Sequence, residues 1–156
     1  MRFPKRVASF KWFANFKSGV YASLLVAGIT SGTFGYAFAA DDALKAAAQS
    51  IIQQQEQALV HDDAEKAFSF AAPNIQMMMR SPEGFMAMVQ QGYAPVYRHR
   101  SFEFGESEGQ DGIFAQKVRI IDDKGKPWDA LYMLKQFPDG VWRITGCVLS
   151  EVGTDA

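Results

Sequence analysis

Apolar and small residues return every three or four positions between Leu44 and Leu59, at Leu44, Ala48, Ile51, Ala58 and Leu59, with Gln55 on the same stripe. That spacing is the period of an α-helix with one face turned to a core. Asp41 and Asp42 stand at its expected start, where negative charge complements the N-terminal end of the helix dipole. Asp62 followed by Glu65 has capping-box spacing, which places His61 at a break and predicts a second helix over AEKAFSFAA, ended by Pro73. Asn74 to Met79 reads as a short strand. Ser81, Pro82 and Glu83 then supply an N-cap, a proline pre-set for the first helical position and an acidic first turn, so a third helix runs through Phe85, Met88 and Val89 to Gly92.

Beyond Gly92 the period falls from about 3.6 to 2. Ser101–Glu106, Ile113–Ile121, Trp128–Phe137 and Val141–Leu149 read as strands, separated by SEGQDG, DDKGK and PDG, and such short glycine-bearing connections imply antiparallel neighbours. The pattern predicts an α+β domain: N-terminal helices packed on a curved antiparallel sheet of four to five strands. On the third strand Trp128, Ala130, Tyr132 and Leu134 share one face and Asp129, Leu131, Met133 and Lys135 the other; on the fourth, Trp142, Ile144, Gly146 and Val148 oppose Arg143, Thr145 and Cys147. Apolar residues on both faces suggest that one side meets the helices and the other a partner subunit or a long helix, and a homodimer through the sheet is one expectation.

The first 40 residues follow a different pattern. Arg2, Lys5, Arg6, Lys11 and Lys17 precede an uncharged run with its most apolar part at Leu24, Leu25, Val26 and Ile29, and Ala37-Phe38-Ala39 supplies small residues at cleavage-site positions. This is the three-part pattern of a secretory signal peptide over residues 1–39, leaving one exported α+β domain over residues 40–156, periplasmic or secreted. The competing reading keeps residues 18–38 as an uncleaved inner-membrane anchor with the domain facing the periplasm, since such a helix would rise roughly 30 Å. Gly19, Gly28, Gly32 and Gly35 weaken that reading. Without residues 1–39 the basic count falls from 16 to 11 against 17 acidic residues, a charge of about −6. That sign removes any general attraction for nucleic acid or for an anionic membrane surface. Cys147 is the only cysteine, so the domain cannot depend on an internal disulfide.

Standard catalytic signatures are missing: no HExxH, CxxC, phosphate-binding glycine loop or GxSxG elbow occurs. The densest candidate site is GYAPVYRHR, residues 92 to 100. Gly92 and Pro95 are accounted for by ending a helix, and Tyr93 and Tyr97 by burying rings with paired hydroxyls. Arg98, His99 and Arg100 exceed that need. Alternation would put the two arginines on one side of the incoming strand, about 6 to 7 Å apart, a spacing able to clamp a carboxylate or phosphate. Pairing with Glu103, Glu106 or an acidic helix end is the competing, structural reading. Met77, Met78, Met79, Met86 and Met88 offer soft ligands for copper(I), but three successive residues of an extended segment point to alternate faces, and core packing is the favoured reading; no metal and no cofactor is expected. Cys147 as a nucleophile would need His61 or His99 as its base, and its place inside the apolar TGCVL favours a small buried hydrophobe. Asp129 and Tyr132 are the candidate carboxylate and hydrogen-bond donor should an isomerase- or dehydratase-like reaction occur.

The order of helices and strands is similar to that of the nuclear-transport-factor-2-like superfamily, whose cone-shaped fold wraps a sheet around a helix and often leaves a pocket at the open end. The stretches FSFAAPNIQ (68 to 76), FMAMVQQGYAPVYRHRSFEFGE (85 to 106), WDALYML (128 to 134) and DGVWRITGCVL (139 to 149) resemble a family of small exported bacterial proteins known as a domain of unknown function, DUF 4864. The resemblance covers about residues 42 to 150 and implies a fold but no activity. The expectation is therefore a non-enzymatic exported domain that binds a small anionic or amphipathic molecule, or a partner protein, through Tyr97, Arg98, His99 and Arg100. The alternative is a small pocket enzyme using Asp129 and Tyr132.

Overall fold

The computed structural model describes residues 36–153, with side chains from residue 42 onward. The leader and anchor expectations for residues 1–39 fall outside the described residues, apart from the start of the first helix. Among the described helices none is long and apolar enough to cross a membrane.

Among the described residues five helices precede four strands: α1 (Tyr36–Val60), α2 (Ala64–Ser69), α3 (Pro73–Met79), α4 (Pro82–Gly92) and α5 (Ala94–Tyr97), then β1 (His99–Gln110), β2 (Ile113–Asp122), β3 (Pro127–Gln136) and β4 (Trp142–Glu151). α1 begins upstream of Asp41 and Asp42, so neither acid stands in its first turn. Alanines at 37, 39 and 40 are strong helix formers and extend the helix backwards. The cap of α2 is Asp63, whose carboxylate accepts the Lys66 N–H at 3.0 Å, and not Asp62. Asp62 has φ of 60°, a left-handed conformation, and its carboxylate accepts from Tyr97 and Arg98.

Residues 74–79 form a helix where a strand was expected. Pro73 opens α3 instead of ending α2: Ala72 is extended, as the residue before a proline prefers, and proline's fixed φ suits the first helical turn. α4 matches expectation, with Ser81 Oγ accepting the Gly84 N–H at 3.1 Å. A Cβ on Gly84 would lie 2.6 Å from the Met79 carbonyl oxygen, so glycine is what lets α3 and α4 approach this closely. Pro95, expected only as a helix breaker, begins the single turn of α5.

The sheet is antiparallel in the order β1-β2-β3-β4 and unclosed, with β1 and β4 at its edges. SEGQ belongs to β1, and only Asp111 and Gly112, both at positive φ, make the turn to β2. That is a two-residue hairpin whose left-handed positions suit the twist of the flanking strands. Register shifts in β1 and between β3 and β4 bend the sheet. The shift in β4 pairs Leu134 with Ile144 but Met133 with Gly146, leaving Thr145 as the extra residue. Simple alternation therefore fails here. Cys147 and Leu149 join Ile144 on the helix-facing side, whereas Val148, expected beside Ile144, is 62% exposed.

The core lies between α1, α2, α4 and the concave sheet face, where Ile52, Leu59, Val118, Ile120, Leu134 and Tyr132 are almost fully enclosed. Burying each such side chain contributes about 1.5–3 kcal/mol. Gln116 is enclosed with them and is fully engaged. Its Nε2 donates to the carbonyls of Gly105, Glu106 and Lys117, and its Oε1 accepts from Gln49 Nε2. Gly105 and Glu106 sit in the β1 irregularity, so the glutamine serves carbonyls that the ladder leaves unpaired there. The β4 edge is covered in part by the α2–α3 connection, where the Ala72 N–H donates to the Ile144 carbonyl at 2.8 Å and the Ile144 N–H to the Phe70 carbonyl at 2.9 Å.

Candidate functional site

Where α3 and α4 lean away from the bend in β4, the packing opens into a cavity of about 230 Å³. α1 contributes Gln55 and Leu59; α3 contributes Ile75, Met78 and Met79; α4 contributes Phe85, Met88 and Val89. Tyr132 of β3 and Ile144, Gly146 and Cys147 of β4 form the opposite wall, with Tyr93 and Val96 at one side. Among the described residues no acidic, basic or histidine side chain lines it. In a chain where about a fifth of the residues are charged (21%), such a lining suits an apolar occupant.

The polar groups of this cavity are few and held in place. Gln55, 5% exposed, donates from Nε2 to the Ala67 carbonyl at 3.1 Å. The Tyr93 hydroxyl donates to the Cys147 carbonyl at 3.0 Å. Tyr132 and Cys147 are direct cross-strand partners. Burial pushes the Cys147 thiol up to about 12, with the Tyr132 hydroxyl beside it a lesser, opposing influence. Burial likewise raises the Tyr132 hydroxyl well above the usual phenol range. A thiol so disposed is almost wholly protonated at neutral pH and is a poor nucleophile. Neither histidine serves it as a base: His61 Nδ1 lies 2.7 Å from the Gln57 carbonyl on the exposed side of α1, and His99 is engaged elsewhere.

GYAPVYRHR disperses in the fold. Arg98 grips Asp62 with Nη2 at 2.8 and 3.0 Å, caps the α1 end through the Leu59 carbonyl at 3.2 Å, and stacks on the Tyr97 ring at 3.7 Å. The Tyr97 hydroxyl donates to the same Asp62 carboxylate and accepts from Gln90 Nε2. Together the hydroxyl and the guanidinium hold the Asp62 carboxyl below the usual carboxylate range. Arg100 points elsewhere, donating to the Asp123 carbonyl at 2.6 Å. The two arginines thus form no open clamp. His99 is part-buried, its Nε2 3.0 Å from Glu56 Oε1 and its Nδ1 3.2 Å from the Val96 carbonyl, with the Phe102 ring alongside. Of the intramolecular partners anticipated for Arg98, it takes the acidic helix end, Asp62 between α1 and α2, and not Glu103 or Glu106.

Asp129 and Tyr132 lie on opposite faces of β3. Asp129 is on the outer face, paired with Arg119 at 2.6 Å, so the structure does not bring it to the cavity that Tyr132 lines. The methionines divide as well. Met86 is buried and Met79 and Met88 pack against the core, but Met77 and Met78 are exposed, at 75% and 67%. Successive residues on α3 are turned by roughly 100°, so the three cannot converge on one ion. A second cleft, of about 360 Å³, lies between the α4–α5 junction and the β2–β3 turn. The Asp122 carboxylate on its wall already accepts from the Lys124 and Lys126 N–H groups and the Trp128 indole.

Gln55, Tyr93 and the Met78–Met88 rim escaped sequence reasoning as site residues, because each reads as ordinary helix or core. The usable signal was Gln55, a polar residue on the apolar stripe of α1. A search of the curated proteins finds no match to the chain, and a search of the solved structures finds none either. The family model described as domain of unknown function (DUF4864) matches residues 37–155, nearly all of the described fold, and the chain belongs to that family.

Proposed function

We propose that this chain is an exported, non-catalytic binding domain, and that its ligand is a small apolar molecule held in the cavity between α1, α3, α4 and the β3–β4 wall. The observation that carries this reading is a cavity of about 230 Å³ with an apolar lining and no charged side chain. A dry cavity of about 150 Å³ accommodates benzene, so this one has room for a substituted ring or a short branched chain. The anionic ligand anticipated at Arg98 and Arg100 gains no support from their geometry, since both guanidiniums are engaged by the protein itself. Export is favoured by the basic, apolar and small-residue pattern of residues 1–39. The helices covering one face of a bent four-stranded sheet support a reading as a nuclear-transport-factor-2-like cone, with this cavity as its pocket.

Thermal unfolding with toluene as probe tests the binding reading. At ten times its Kd, a ligand specific for the folded state stabilises by about 1.4 kcal/mol, raising Tm by about 4–6 °C for a domain of this size. Val89→Phe, which fills the cavity from α4, should abolish the rise. An unchanged Tm at saturating toluene, or an equal rise in the filled variant, contradicts the proposal.

A further inference from the structure

We infer that the cavity is built for a neutral molecule that carries one hydroxyl or amide group on an apolar body. The inference rests on the cavity being the binding site and adds the chemistry of the ligand's polar end. Two polar side chains, each more than nine-tenths buried, line the cavity with hydrogen-bonding capacity left open. Gln55 uses Nε2 on the Ala67 carbonyl, while its Oε1 accepts from no described residue. The Tyr132 hydroxyl, on a side chain 2% exposed, hydrogen-bonds the Cys147 thiol and keeps acceptor capacity on its oxygen. No fully enclosed side-chain oxygen or nitrogen among the described residues lacks a partner, so the Gln55 Oε1, on a side chain that lines the cavity, is not fully enclosed.

The Gln55 carbonyl oxygen and the Tyr132 hydroxyl oxygen, each with acceptor capacity to spare, match a group that has a proton to donate. A carboxylate has no proton to give Gln55 and would meet no cation; an ammonium could donate to both oxygens but would meet no anion. Either charge would also lose its hydration inside an apolar wall. A hydroxyl or primary amide satisfies both groups without charge. The body of such a ligand would lie on Ile75, Met78, Met79, Phe85 and Met88. Thioether side chains adapt to irregular shapes, which suits a branched or partly reduced ring as well as a flat one.

The test is a set of ligands of similar size, toluene, phenol, benzoate and benzylamine, titrated into the full chain at neutral pH and followed by methionine-methyl chemical shifts. Phenol should bind about tenfold more tightly than toluene, and benzoate and benzylamine more weakly than either. Tyr132→Phe, which deletes only the hydroxyl from a buried ring, should bring phenol and toluene to within about twofold of each other. Gln55→Met, scored by the same ratio on folded protein, should reduce the preference as well. Equal binding of phenol and toluene in the parent chain, tightest binding by a charged member, or an undiminished preference in Tyr132→Phe would overturn the inference while leaving the apolar site standing. Failure of both toluene and phenol to bind would overturn the binding reading itself.

Discussion

Tyr132 and Cys147 face each other across β3 and β4, and both line the cavity. The pairing depends on the extra residue in β4: without the shift at Thr145, Cys147 would turn to the outer face and the wall would be lost. Burial raises both ionisable groups, the thiol to about 12. At pH 8 that shift from 9.0 lowers the thiolate fraction about a thousandfold. The greater nucleophilicity of a more basic thiolate recovers roughly 20- to 30-fold. Alkylation of Cys147 by iodoacetamide should therefore be at least a few tens-fold slower in the folded protein than in denaturant. Equal rates would place the thiol outside the wall.

The same two groups set the alkaline limit of stability. Their folded pKa values lie above the unfolded ones, so the unfolded chain releases protons first. Their contribution is whole below about pH 9 and is lost as pH rises from 9 toward 12. Cys147→Ala should flatten this loss in denaturant titrations at pH 9 to 11; an unchanged slope would contradict the burial of the thiol. At the acid end the sign is reversed. Asp139 is lowered to about 2 by Arg143 and the Val141 N–H, and Asp62 is lowered by Tyr97 and Arg98, so stability should fall as pH drops from about 3.8 toward 2.

The bulge in β4 predicts a contrast between two residues that alternation would group together. Ile144→Ala should cost about 2–5 kcal/mol, because Ile144 is 4% exposed in the core. Val148→Ala should stay within about 0.5 kcal/mol, because Val148 is 62% exposed. Urea unfolding of both variants measures the difference, and similar losses would mean that the strand keeps regular alternation.

Gln116→Leu removes the donor that serves the carbonyls of Gly105 and Glu106 in β1. Leaving such buried groups without a partner should cost about 1–3 kcal/mol despite the gain in side-chain hydrophobicity. A neutral or stabilising outcome in denaturant unfolding would show that water or another donor replaces the amide.

Arg98→Ala combined with Arg100→Ala separates the basic cluster from the cavity. Both guanidiniums are engaged by Asp62 and the Asp123 carbonyl and neither lines the cavity, so toluene and phenol affinity should remain within about twofold. A larger loss on the folded double variant, measured by calorimetric titration, would return the arginines to the site.

Class and the succession of helices before four antiparallel strands were legible in the chain because they follow from local rules, though α3 and α5 were not. The helical stripe of α1, the Ser81–Pro82 start of α4 and the strand periods each reflect which face must be buried. What was not legible depended on choices between near-equal local options. Pro73 can end one helix or open the next, and Asp62 and Asp63 are both chemically fit to cap α2. In the fold Asp62 takes a left-handed backbone and bonds Arg98 and Tyr97, and Asp63 caps α2. The β4 bulge has no mark of its own, so the facing of Cys147 could not be read by counting in twos. A cavity is harder still, since it is a failure of several elements to fill a space and no single residue encodes it.

The most direct test of the central claim is a toluene titration of the chain labelled at its methionine methyls. Met78, Met79 and Met88 line the cavity, whereas Met133 is 41% exposed on the outer face of the sheet and serves as an internal control. Saturable shifts at the three cavity methionines with Met133 unmoved are the predicted result. No saturable shift, or a shift at Met133 as large as theirs, would contradict it.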